Sequence, residues 1–369
     1  MAEGSEGRKL PPGITRRANG LYMGRVMYKG VSHAIYDRNL GELKKRMTEL
    51  RYSLEHGTYV KKSVITFDDW FGEWITTYKQ NTVKQGTVDL YNKHYSAYIK
   101  KYLGDMKLVD IQAQDLQKLL NNMSSEGYAD DTITLTYCVL SGVFKQAYKN
   151  ELIPKNPFSL ITRPKGKAKK EKVVFTKKQQ ELYMRYAERS YLRNLLQLAM
   201  CTGMRNGELR GLLWSDVDFK RKVIHIRHNL ITSSKDGVKM DTPKTRTSTR
   251  DIPMTEKVYE ILKRQESEGE KNKDDFVFYA ANGPVSRKRI THEINVMLQN
   301  MADDGIAFPY FTLHSTRHTF ATRCIEKGMN PQVLKTILGH ATLSMTMDLY
   351  SHVLPDAKAA EMRKVSKAF

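Results

Sequence analysis

Cysteine is scarce in this 369-residue sequence: Cys138, Cys201 and Cys324 are odd in number, far apart and form no C-x-x-C pair. That pattern excludes a disulfide-stapled scaffold and a thiolate zinc site. The three read as reduced core residues of a cytoplasmic protein. Long apolar runs are missing too: none approaches the ~20 residues that span a bilayer, and no signal-peptide segment opens the chain. Carboxylates nowhere cluster at metal-site spacing, so no metal and no cofactor is expected. Negative charge is itself in short supply, 40 Asp and Glu against 61 Lys and Arg, for a formal net charge of +21. Such an excess implies a polyanionic partner, because each neutralised phosphate releases condensed counterions.

The excess is unevenly placed. Residues 1–60 hold 11 Lys and Arg against 6 acids, residues 61–158 are nearly balanced at 12 against 11, and the short stretch 159–174 holds 6 against 1. A neutral middle between basic flanks divides the chain into 1–62, 63–158, a basic linker 159–174, and 175–369. In the first part, period-two alternation through Tyr22, Gly24, Val26 and Tyr28 predicts two strands joined around Gly30, followed by a helix from Leu40 to Glu55. Arg16, Arg17, Arg25 and Lys29 lie on or beside these strands, which could enter a DNA groove. The second part is helical. Phe67, Trp70, Phe71, Trp74, Ile75 and Tyr78 form one apolar stripe with Thr66 as N-cap, and Tyr91, Tyr95, Tyr98 and Tyr102 read as core. Lys165, Lys167, Lys169 and Lys170 give 159–174 the composition of an extended linker able to follow a phosphate backbone. The last part is mostly helical. Thr176 and Gln179 make a capping box, strands are expected at 222–228 and 239–253, helices at Thr316–Lys327 and from Asp356 to about Lys367, and a helix from Pro331 to Leu338 is closed by Gly339.

Several side chains of this last part have the chemistry to hold a phosphodiester. Arg205 opens a helix with Glu208 one turn on, placed to grip its guanidinium; the planar fork of an arginine matches two phosphate oxygens. His314 and Arg317 are one turn apart, His340 follows the Gly339 bend, and Tyr350 comes ten residues later. Cationic and imidazole donors closed by one phenol are what nucleophilic attack on phosphorus needs.

In order and surroundings, TGMRNGEL, HSTRH and LGHATLSMTMDLYSHV resemble the tyrosine recombinases, most closely the integrases of temperate phages and conjugative transposons of Gram-positive bacteria. The resemblance implies an architecture in three parts: a small α+β N-terminal domain (three-stranded sheet plus helix) binding arm-type DNA sites, an all-α core-binding bundle, and a mainly-α catalytic domain with a small antiparallel sheet. It implies Arg205 and Arg317 as phosphate clamps, His314 as general base or phosphate donor, His340 as donor to a non-bridging oxygen, and Tyr350 as nucleophile. The family's catalytic lysine lies on a β-hairpin between the two arginine motifs; Lys244 fits that place, with Lys235 and Lys239 on the same hairpin. The implied partners are double-stranded DNA, a homotetramer on paired sites, and an excisionase or DNA-bending protein in a nucleoid-associated setting. A type IB topoisomerase or a catalytically silent DNA-binding regulator are the alternatives.

Overall fold

Lys29 and Gly30 both take positive φ, 47° and 80°, the pair of left-handed residues that a two-residue hairpin turn requires. They join β2 (Tyr22–Tyr28) to β3 (Val31–Asp37), with Tyr28 opposite Val31, and β1 (Ile14–Arg16) adds antiparallel to the other side of β2. α1 (Leu40–Glu55), capped by Asn39, lays Leu43, Met47, Leu50 and Leu54 against Ile14 and Val26. The computed structural model describes residues 10–17, 20–56, 65–168, 172–233, 237–241, 249–280 and 283–350. The chain divides into two units, Met1–Lys169 and Lys170–Phe369.

The helical part of the first unit begins where expected. Thr66 accepts from the Asp69 backbone N–H at 3.1 Å and the Asp69 carboxylate caps in return. α2 (Phe67–Glu73) runs on through a wider π-type turn at Trp74–Lys79. α3 (Gln85–His94) continues likewise through Tyr95–Ile99 into α4 (Lys100–Leu103), followed by α5 (Ala113–Ser125) and α6 (Asp130–Lys149). Phe67, Trp70, Trp74, Leu116, Leu140 and Phe144 are fully enclosed between them. Of the four tyrosines, Tyr95 is buried and stacked on Phe71 at 3.9 Å, and the other three pack against the same core.

Two expectations are corrected here. Cys138 is exposed, because it falls on the face of α6 opposite Ile133, Val139, Leu140 and Val143, whereas Cys201 and Cys324 are half-buried against the core. The basic stretch is also no plain tether along its first half. Arg163 pairs with Asp130 at 2.7 Å, Ser124 donates to the Lys165 carbonyl, and Lys167 exchanges backbone hydrogen bonds with Tyr128 and Asp130. Its charge is compatible with this docking because the backbone does the fastening while the lysine side chains stay in water.

In the second unit α7 (Lys177–Ala187) starts at the Thr176 capping box and precedes the buried α8 (Arg193–Thr202) and the short α9 (Asn206–Arg210). β4 (Val217–Asp218), β5 (Val223–Ile226), β6 (Asn229–Ser233), β7 (Gly237–Asp241) and β8 (Arg250–Pro253) follow. The single small sheet of the sequence reading resolves into two: β4-β5-β8 and a separate β6-β7 ribbon, all antiparallel. α10 (Glu256–Glu268), α11 (Arg287–Asp303), α12 (Leu313–Glu326), α13 (Pro331–Leu338) and α14 (Ser344–Tyr350) complete the unit. α8 packs against both α10 and α12. The expected final helix, Asp356–Lys367, lies outside the described residues, and among those described no helix is long and apolar enough to cross a membrane.

Candidate active site

Two helices end in the same way, and their ends meet. α8 closes at Gly203 (φ 62°) and α13 at Gly339 (φ 65°), both left-handed. Neither position has room for a side chain: a Cβ at Gly203 would come within 2.5 Å of Phe320, and one at Gly339 within 3.0 Å of the Arg250 guanidinium. Each end leaves carbonyl oxygens without intrahelical partners and with partial negative charge. Guanidiniums fill that role. Arg317 donates through Nη1 to the Gly203 carbonyl (2.8 Å) and through Nη2 to the Leu338 carbonyl (2.7 Å), while Arg205 donates through Nη2 to the Gly339 carbonyl (2.6 Å).

The two arginines differ in exposure. Arg317 is 3 % exposed; burial and the nearby Arg205 charge pull its pKa down to about 9, still protonated at neutral pH. A third of the Arg205 side chain (34 %) reaches solvent. The expected Glu208 contact is present and doubled, for Glu208 accepts from both the Arg205 guanidinium and its backbone N–H, each at 2.8 Å. Burial opposes its ionisation, but hydrogen bonds and charge from Arg250, with the charge of Arg205, outweigh this and hold the carboxyl at about 2.

α12 starts three residues earlier than expected. Thr312, not a later residue, is the cap: it accepts from the His314 N–H and shares a capping box with Ser315. His314 and Arg317 therefore stand in the first turns of one helix. Surrounding protein atoms, then the charges of Arg317, Arg205 and Lys172, hold the His314 imidazole below its usual value, although much of the residue reaches solvent. It meets His318 edge-on at 4.5 Å. His340 is buried, with Nδ1 2.9 Å from the Thr346 hydroxyl of α14. Desolvation, Arg317 and Arg205 lower its pKa to about 4, so the ring is neutral at pH 7.

The structure thus gathers Arg205, Glu208, Arg317 and His340, with His314 within the electrostatic reach of both arginines. Tyr350 is the last residue of α14, which packs against α12 and α13; its side chain is outside the described set. Lys244, Lys235, Lys169 and Lys170 lie outside the described residues, and Lys239 is exposed on β7. Arg16, Arg17, Arg25 and Lys29 are exposed, Arg17 lying over the Tyr36 ring at 5.0 Å, and the side chains of Lys165 and Lys167 reach solvent. Three residues of the site were missed: Thr346, His318 and Arg250. Arg250 had a signal, since strand alternation puts it on the same side as the buried Ile252.

A sequence model of the phage integrase family matches residues 173–356, and one of the phage integrase N-terminal SAM-like domain matches residues 66–124. The chain belongs to the phage integrase family. Among tyrosine recombinases of this family, the transposase from transposon Tn1545 of Streptococcus agalactiae and that from transposon Tn916 of Enterococcus faecalis are each 27 % identical to it. Both alignments cover 98 % of this chain and 96 % of the relative. The solved Tn1549 transposon integrase in complex with a circular intermediate DNA superposes with a TM-score of 0.70 at 26 % identity, covering 82 % of this integrase-family chain and 99 % of that one. Helical bundle, small sheets and closing helices follow the tyrosine recombinase fold.

Proposed function

We propose that this chain is a site-specific DNA recombinase that integrates and excises a mobile element by cutting and rejoining DNA through a 3′-phosphotyrosine. The observation that carries the reading is the convergence of the Arg205 and Arg317 guanidiniums on two helix ends, with the helix bearing Tyr350 packed on the same elements. The Tyr350 phenol loses its proton to a neutral imidazole, His314 by this reading, and its oxygen attacks phosphorus. The bond to the 5′ oxygen breaks, and Lys244 protonates that leaving group. Arg205 and Arg317 hold the non-bridging oxygens, where charge builds. His340, fixed through Nδ1 on Thr346, keeps Nε2 available as a further donor to them. The freed 5′-hydroxyl of the partner strand then attacks the phosphotyrosine, and a second round resolves the Holliday junction.

The partner is double-stranded DNA, as in the Tn1549 integrase complexes with circular intermediate DNA and with transposon right end DNA. Residues 63–158 and 175–369 would each bind DNA of the crossover site. The N-terminal sheet, with Arg16, Arg17, Arg25 and Lys29, would hold arm-type sites. Two exchanges at paired sites need four active sites, hence a homotetramer, working in the cytoplasm on the nucleoid with an excisionase or DNA-bending protein. The test is a nicked suicide duplex: wild type is expected to remain covalently trapped, and Tyr350→Phe to bind the duplex equally but give no adduct. An adduct formed by Tyr350→Phe would overturn the assignment. Supercoil relaxation without two-site recombination would favour the topoisomerase alternative.

A further inference from the structure

Arg250 is the third guanidinium of the site and is almost fully enclosed, its side chain 2 % exposed. It grips Glu208 with both forks, Nη1 to Oε1 at 3.0 Å and Nη2 to Oε2 at 2.8 Å, and its Nε reaches the Ile337 carbonyl. It lies directly against Gly339. One side chain of β8 therefore ties together the carboxylate that orients Arg205 and the end of α13 from which His340 emerges. Neither the phosphate-clamp reading nor the resemblance assigns it a role.

Charge explains why a third arginine is there. Glu208 is ionised and alone would cancel much of the Arg205 charge on which a phosphate depends. Its two-point bond to Arg250 gives that anion a partner of its own. Arg205 and Arg250 bond that carboxylate and Arg317 stands within reach of its charge, so three guanidiniums against one carboxylate leave two positive charges in surplus. A phosphodiester carries one negative charge, and attack by a phenolate brings a second.

We propose that Arg250 is a positioning residue: it occupies the Glu208 carboxylate, so that Arg205 stays oriented and electrostatically uncancelled, and it fixes the turn that presents His340. This rests on the recombinase reading above.

The test uses the full-length protein and nicked duplexes tiled across the DNA that borders its coding sequence, with the cleavage rate measured separately from duplex affinity. Arg250→Met is expected to lower covalent cleavage by ~10²-fold, the scale for displaced catalytic groups, with affinity changed far less. Arg250→Lys, which keeps the charge but cannot bridge both oxygens, is expected to fall between. The decisive variant is the double substitution Glu208→Gln with Arg250→Met: with no uncompensated carboxylate left beside Arg205, it should recover about tenfold over Arg250→Met alone. Wild-type cleavage by Arg250→Met overturns the proposal. So does a double variant as slow as the single one, which would mark a merely structural residue. If Arg250→Met does not fold, Arg250→Gln, neutral but still able to hydrogen-bond, takes its place in the same comparison. Absence of any adduct with wild-type protein on every duplex would instead count against the recombinase reading itself.

Discussion

The helical bundle of the first unit and the crevice of the second bury different things. Among the described residues of the first unit, tyrosines aside, Thr136 is the one polar residue buried; the second encloses Asn194, Glu208, Arg210, Arg250, Glu293 and Arg317, among others. Enclosing ionised groups costs several kcal/mol each unless partners repay it. The interior of the bundle is built for stability alone. Around the site Glu208, Arg250 and Arg317 have each been given a partner of opposite sign or a helix-end carbonyl, and the surplus that remains is positive. Such a surplus has no folding benefit, so its presence marks where an anion is handled.

Paired substitutions, one in each region, break this comparison most strongly. Trp70 is fully buried, with its indole N–H on the Val143 carbonyl at 3.3 Å; Trp70→Ala should lower unfolding free energy by ~3–5 kcal/mol. Arg317→Met removes a buried charge but strands two carbonyls, effects that largely offset, while cleavage of a nicked duplex should fall by ~10²–10³-fold. Urea unfolding followed by circular dichroism, beside an adduct assay, reads both. Equal stability losses would erase the distinction.

A smaller effect is expected with pH. The His340 pKa falls from 6.5 to about 4 on folding, so as pH drops the unfolded chain binds the proton first. The stability this neutral ring allows is complete above pH 6.5 and is lost progressively towards pH 4. His340→Gln removes that loss, so the midpoint gap between wild type and variant should narrow as pH falls through this window. Parallel curves would contradict the burial argument. Glu208 acts in a lower window, its contribution present above 4.5 and lost towards 2.

What the sequence made legible was local. Pro331 and Gly339 bracket α13 because a missing N–H and a left-handed φ are properties of single residues, and the Arg205–Glu208 contact follows from a three-residue spacing. What escaped depends on partners distant in the chain. Glu208 and Arg250 are 42 residues apart, and nothing near either residue announces the other, although alternation along β8 turned Arg250 inward. The earlier start of α12 was hidden because Thr312 and Thr316 are both plausible caps, and only burial of Leu313 decides between them. Segment 161–168 looked like a linker because composition records its lysines and not its backbone hydrogen bonds. For the site, Arg205, Arg317 and His340 could be named in advance, but not the helix ends that hold the two arginines.

The smallest predicted effect tests whether partner geometry alone explains the crevice. Lys100 and Asp68 in the bundle are 2.9 Å apart, hardly farther than Arg250 and Glu208 at 2.8 Å, yet their side chains are 54 % and 41 % exposed against 2 % and 5 %. Water screens the first pair and cannot reach the second, so equal distances carry unequal weight. Lys100→Met should leave the urea midpoint unchanged within error. Tyr95→Phe should cost about 1 kcal/mol, because the buried phenol donates to the same Asp68 at 2.6 Å and that hydrogen bond is partly shielded on the tyrosine side. If Lys100→Met proved the more damaging of the two, exposure would not be what separates the bundle's charges from those of the crevice, and the contrast between the two regions would have to rest on geometry instead.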